Sequence, residues 1–167
     1  MKAYLLFSRG SGPASAMIRR WTKSEFAHVA PVISAPGVSA PSANDGSLAY
    51  DCFWGYLLTE RSITQADAAE TWVELPWIDA ASRQPWIDAQ VGKPYDYKAV
   101  LIDIFCRFLG GGLHVYDSQQ GCWDCSRLGA VFADVEATAW GLNDPISPGA
   151  LHIIVAEKLA EWKAAHS

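Results

Sequence analysis

Trp72-Val73-Glu74-Leu75-Pro76-Trp77-Ile78-Asp79-Ala80-Ala81-Ser82-Arg83-Gln84-Pro85-Trp86-Ile87-Asp88-Ala89-Gln90-Val91-Gly92 is the stretch in which the chain changes period. Trp72 to Leu75 reads as a strand, and Asp79 to Val91 as a helix that places Trp86, Ile87 and Ala89 at helical spacing and stops at Gly92. Upstream the pattern is mostly strand and turn. Ala3 to Ser8 reads as a buried strand, and Pro13 opens a short helix through Ala16, Ile18 and Trp21. Phe26 to Ile33 is a strand whose Pro31 argues for an edge or a bulge. A loop from Ser34 to Ser47, with turn chemistry at Asn44-Asp45-Gly46, leads to strands at Leu48–Phe53 and Tyr56–Arg61, hinged at Trp54-Gly55. Downstream the pattern is helical. Tyr97 to Leu109 carries Leu101, Ile104, Phe105 and Phe108 on one stripe, and Asp124 to Ala137 carries Leu128, Val131, Phe132 and Val135 on another. Ser147-Pro148 opens a last helix. Strands first and helices later predict an α+β class, a small antiparallel sheet packed against helices.

The chain has 167 residues, without a repeat or linker, and reads as a single domain over 1–167. Half of it is hydrophobic and 19% is charged, which excludes a disordered chain. A net charge of -5 from 13 basic and 18 acidic residues speaks against nucleic acid as a partner. No window reaches the ~18 consecutive apolar residues of a membrane span. The N-terminal apolar run is shorter than the ~7–15 residues of a signal-peptide core, so a cytoplasmic location is expected, with the four cysteines reduced.

Three places can carry chemistry. In Gly121-Cys122-Trp123-Asp124-Cys125-Ser126-Arg127-Leu128, Asp124 is a good N-cap, which puts Cys125 in the first turn of a helix. Unpaired backbone N–H groups and the positive end of the dipole favour a thiolate there. The plain alternative is a buried, inert cysteine. Cys122 and Cys125 also have Cys-x-x-Cys spacing, open to redox use, whereas Cys52 and Cys106 stand alone and supply no second pair for zinc. His28 lies on a predicted strand among apolar neighbours, as a base for the thiol or as a structural histidine. Asp51, on the next strand, can accept from the second imidazole nitrogen or can be an ordinary strand-end aspartate, and Glu60 is the alternative acid.

In this order the three places resemble the circularly permuted papain-like cysteine hydrolases, the YiiX-like branch of the NlpC-type superfamily. Phe26-Ala27-His28-Val29 matches the family's His strand, and Ala49-Tyr50-Asp51 followed by Gly55 its acidic strand. Gly92-Lys93-Pro94-Tyr95-Asp96-Tyr97, Cys125-Ser126-Arg127-Leu128 and Ser147-Pro148-Gly149-Ala150-Leu151 match three later segments, with Arg127 in place of the family's usual Glu. The likeness runs from about Ser8 to Leu151. It implies a permuted papain-like topology and hydrolysis of an amide or ester through a thioester on Cys125. His28 would act as base and Asp51 as its orienting acid, with no metal or organic cofactor. Tyr95, Tyr97, Trp123 and Ser126 are the candidates for holding a peptide or acyl substrate, Tyr95 being equally suited to packing beneath the turn after Pro94. The implied substrate is a peptidoglycan-type peptide amide or a fatty-acyl bond. A binding or structural protein that keeps the fold without turnover is the alternative.

Overall fold

The computed structural model describes residues 1–51, 57–96, 123–135 and 146–167. Its first strand, β1 (Ala3–Ser8), is buried at every position from Ala3 to Phe7. A run without alternation belongs to a strand covered on both faces. Leu5 and Phe7 enter the larger core cluster, and Tyr4 and Leu6 a smaller one, as the two-residue side-chain period requires. β1 is flanked by β2 (His28–Ile33) and by β5 (Thr71–Glu74), with Leu5 opposite both Pro31 and Val73. β3 (Leu48–Asp51) and β4 (Thr59–Ser62) extend the sheet to the order β4-β3-β2-β1-β5, antiparallel at each pairing. The expected α+β class is what these residues form.

Pro31 does not sit on an edge strand of the sheet, because β2 lies between β1 and β3. β3, however, pairs only with Val32 and Ile33. The residue without an N–H therefore falls outside the recorded β2–β3 pairing, where a missing donor costs no ladder hydrogen bond to β3. The expected hinge at Trp54-Gly55, the helix Tyr97–Leu109 and the residues Cys52, Tyr97, Cys106 and Cys122 lie outside the described residues.

The long loop after β2 folds over the smaller cluster. Lys2 N–H donates to Ser34 Oγ at 2.7 Å, and the Tyr4 hydroxyl donates to the Ser39 carbonyl. Its expected turn is present: Asn44 and Gly46 take φ of 65° and 83°, and Asp45 Oδ1 accepts from Ser47 N–H at 2.8 Å.

Among the described residues four α-helices accompany the sheet. α1 (Pro13–Thr22) is opened by Pro13 and buries none of its residues. α2 (Ala80–Asp88) is capped by Asp79, which accepts from Ala81 N–H at 3.1 Å. α3 (Cys125–Phe132) is capped by Asp124, which accepts from Arg127 N–H at 2.8 Å. α4 (Pro148–Ala165) is capped by Ser147, which accepts from Ala150 N–H at 3.2 Å. Leu128, Phe132, Leu151 and Val155 bring α3 and α4 into the larger core cluster. Gly129 permits the close approach: a Cβ there would lie 3.0 Å from Leu151 Cδ2 and 3.4 Å from Val29 Cγ2. The entry to α3 is fixed by Trp123 N–H donating to Pro94 O (3.0 Å) and Asp96 N–H donating to Trp123 O (2.9 Å).

Candidate active site

His28 is the first residue of β2, Asp51 the last of β3 and Cys125 the first of α3. Because β2 and β3 are antiparallel, the start of one and the end of the other share an end of the sheet. The register Val32↔Ala49 sets Asp51 across from Ala30, on the face that His28 also takes by alternation. The side chains meet diagonally, with His28 Nε2 donating to Asp51 Oδ1 at 2.9 Å. The Cys125 side chain lies beside the His28 ring, near enough to favour its protonated form. With Nε2 given to the carboxylate, Nδ1 is the ring nitrogen left for the thiol.

Burial sharpens these contacts. Asp51 is 0% exposed and Cys125 7%. Burial works against the charged imidazole, but the Asp51 hydrogen bond and charge, with the neighbouring Cys125 side chain, outweigh it. His28 is thereby pushed from 6.5 up to about 10. Burial likewise works against the Asp51 carboxylate, and the His28 hydrogen bond and charge, together with Arg61, hold it below the usual range. The result is a proton favoured on the ring beside the Asp51 carboxylate.

Arg61 is a member that sequence reasoning missed. Its Nε donates to Asp51 Oδ2, on the side away from His28. Its Nη1 and Nη2 donate to Asp67 Oδ2 at 2.7 Å and Asp67 Oδ1 at 2.9 Å. Asp67 lies in the single-turn helix Asp67–Ala69 and also accepts from Thr64 N–H and Thr64 Oγ1, both at 2.7 Å. These donors overcome the effect of burial and bring Asp67 down to about 2. The Thr64-Gln65-Ala66-Asp67 spacing of a capping box was the available signal for this turn. The pairing Ala49↔Arg61 places Arg61 on the Asp51 face.

Glu60 is exposed and lies opposite Tyr50, so by alternation it occupies the other face of β4, and the imidazole's hydrogen bond goes to Asp51. Among the described histidines, His152 packs edge-on against Phe7 with centroids 5.0 Å apart, and His166 stacks on Trp162. His28 is the one joined to a carboxylate.

At the mouth of α3, Ser126 is buried, with its Oγ 3.9 Å from the Cys125 sulfur. Trp123 is half-buried, edge-on to Trp86 at 5.9 Å, and carries the Arg127 guanidinium 5.8 Å from its ring centroid. Tyr95 is buried within the larger core cluster, the environment of a packing residue. Among the described residues no group of three or more His, Cys, Asp or Glu is placed to hold a metal ion. Nor, among them, is any helix long and apolar enough to cross a membrane.

The arrangement can do a definite chemistry. A thiol at a helix N-terminus, joined to an imidazole that is itself held by a buried carboxylate, can exist as a thiolate–imidazolium pair. The Asp124 cap takes the Arg127 N–H, while the first-turn N–H of Cys125 has no partner within the helix. Comparison of the chain with family models, with curated proteins and with solved structures gives no match.

Proposed function

We propose that the chain is a cysteine hydrolase of circularly permuted papain-like topology, acting on an amide or ester. The observation that carries the reading is the His28 imidazole, hydrogen-bonded to buried Asp51 at 2.9 Å and set beside the side chain of Cys125, the first residue of α3. The order His28, Asp51, Cys125 along the chain supports the permuted topology, because ordinary papain-like chains run from cysteine to histidine.

In the proposed reaction the Cys125 thiolate adds to the substrate carbonyl, and the oxyanion is received by the Cys125 backbone N–H. Collapse breaks the bond to the leaving amine or alcohol, which takes the proton from the His28 imidazolium and departs, leaving a thioester. Water then gives a proton to His28 as it adds to the thioester. The second collapse releases the acid, and the His28 proton restores the thiolate–imidazolium pair. Asp51 keeps the ring in one orientation throughout. Trp123 and Ser126 flank the nucleophile and are the described candidates for substrate contact, on a peptidoglycan-type peptide or a fatty-acyl group. Tyr97 is a further candidate by sequence. The proposed location is cytoplasmic.

A p-nitrophenyl ester tests the reading. The wild-type chain should release a burst of p-nitrophenol and carry one acyl group on Cys125 by mass spectrometry. Cys125→Ala should abolish both, and His28→Ala should slow acylation by about 10²-fold or more. The burial of Cys125 favours a second reading, an inert thiol in a binding or structural protein. A wild-type chain that shows no burst and no acyl adduct establishes that reading and overturns the hydrolase.

A further inference from the structure

We infer that Arg61 is a positioning residue for the Cys125–His28–Asp51 set, holding the carboxylate that holds the imidazole. The inference rests on the hydrolase reading above and adds a fourth member acting through Asp51. A carboxylate that is fully buried and bonded to an imidazole on one oxygen is free to rotate about its Cβ–Cγ bond unless the other oxygen is also held. Arg61 Nε occupies that other oxygen. The guanidinium cannot follow a rotating carboxylate, because its two remaining nitrogens are fastened to Asp67 at 2.7 and 2.9 Å. Asp67 is fastened in turn by the Thr64 N–H and hydroxyl. The planar fork of arginine serves two carboxylates at once, which the point charge of a lysine does not. Trp72 Nε1 donates to the Asp67 carbonyl at 3.0 Å, tying the turn to β5 as well.

Arg61 also supplies charge. Among the described residues, the titratable and charged groups facing the His28 ring are Asp51 from β3 and Cys125 from α3, with Arg61 of β4 and Asp67 of the following turn behind Asp51. Asp124, beside Cys125, is occupied with the first turn of α3. Arg61 is the cation that balances Asp51 from behind, so its removal raises the proton affinity of the whole set, thiol included.

The test is the pH dependence of Cys125 alkylation by iodoacetamide in the full chain, read by mass spectrometry, with thermal unfolding as the check on folding. Wild type should alkylate with a midpoint below the ordinary thiol value of about 8.5, and His28→Ala should move it up. Arg61→Gln should raise the midpoint by about one pH unit, tenfold slower alkylation at a fixed pH below it. In an Asp51→Asn background the same change should have less than a twofold effect, since the group through which Arg61 acts is gone. Arg61→Lys should keep the wild-type midpoint and lower the plateau rate several-fold, because charge remains and the fork does not. It carries the test if Arg61→Gln does not fold. A folded Arg61→Gln or Arg61→Lys chain with the wild-type midpoint and plateau overturns the inference while leaving the hydrolase intact. A wild-type midpoint near 8.5 that His28→Ala does not move overturns both.

Discussion

His28 turns the geometry of the site into a dependence on pH. Near 6.5 and below, the imidazole is protonated in folded and unfolded chains alike, so its preference for the folded state is fully expressed. Between 6.5 and about 10 only the folded chain keeps the proton, and the stabilisation is lost progressively as pH rises. Asp51 and Asp67 behave in the opposite sense. Their carboxyls are held below the usual range, so what they contribute is present at neutral pH and lost in acid, for Asp67 as pH falls towards about 2. Urea unfolding of wild type and His28→Gln at pH 6, 8 and 10 checks this. The stability difference between them should shrink at each step upward, and a constant difference would show that the ring gains no proton preference on folding. The acid partner was legible as a residue and less so as a role: Asp51 stands first on paper, with Glu60 as the fallback carboxylate. The strand register decides between them, since only one of the two alternating faces carries His28.

At the level of elements, caps and apolar runs announced themselves. Pro13, Asp79, Asp124 and Ser147-Pro148 each stand where a helix begins, because an unpaired N–H there needs an acceptor or is absent. Contacts between elements were illegible. Gly149 is an example: a Cβ at that position would lie 2.4 Å from Ser24 Oγ, 2.9 Å from Ser24 Cβ and 3.4 Å from its Cα. Ser24 cannot swing away cheaply, since its hydroxyl accepts from Phe26 N–H at 2.9 Å and donates to Phe26 O at 2.8 Å. The N-terminus of α4 is thus pressed on the turn that delivers His28. Alanine is the better helix former by about 1 kcal/mol, yet overpacking of this kind costs about 1–3 kcal/mol. Gly149→Ala should therefore lower the urea midpoint, and Ser24→Gly in the same chain should recover part of the loss. A Gly149→Ala chain more stable than wild type would mean that α4 docks less tightly than these distances show.

Across the whole molecule the site is laid out along the sheet, not along the chain. β2, β3 and β4 are neighbours in the strand order and carry His28, Asp51 and Arg61 respectively. The first two could be proposed from sequence because motifs flank them. Arg61 could not, because no motif flanks it and its place beside Asp51 follows only from the pairing of β3 with β4. Among the described residues β4 ends the strand order, with three of its four residues exposed. Outer strands open locally at lower cost than interior ones. Such an opening would withdraw the guanidinium from Asp51 and, through His28 on β2 two strands inward, should reach the thiol at the start of α3. Backbone amides of β4 should exchange with deuterium faster than those of β1. Mild urea, well below the unfolding midpoint, should accelerate β4 exchange and depress Cys125 alkylation over the same concentration range. Alkylation that falls only with global unfolding would show that the edge and the nucleophile breathe independently.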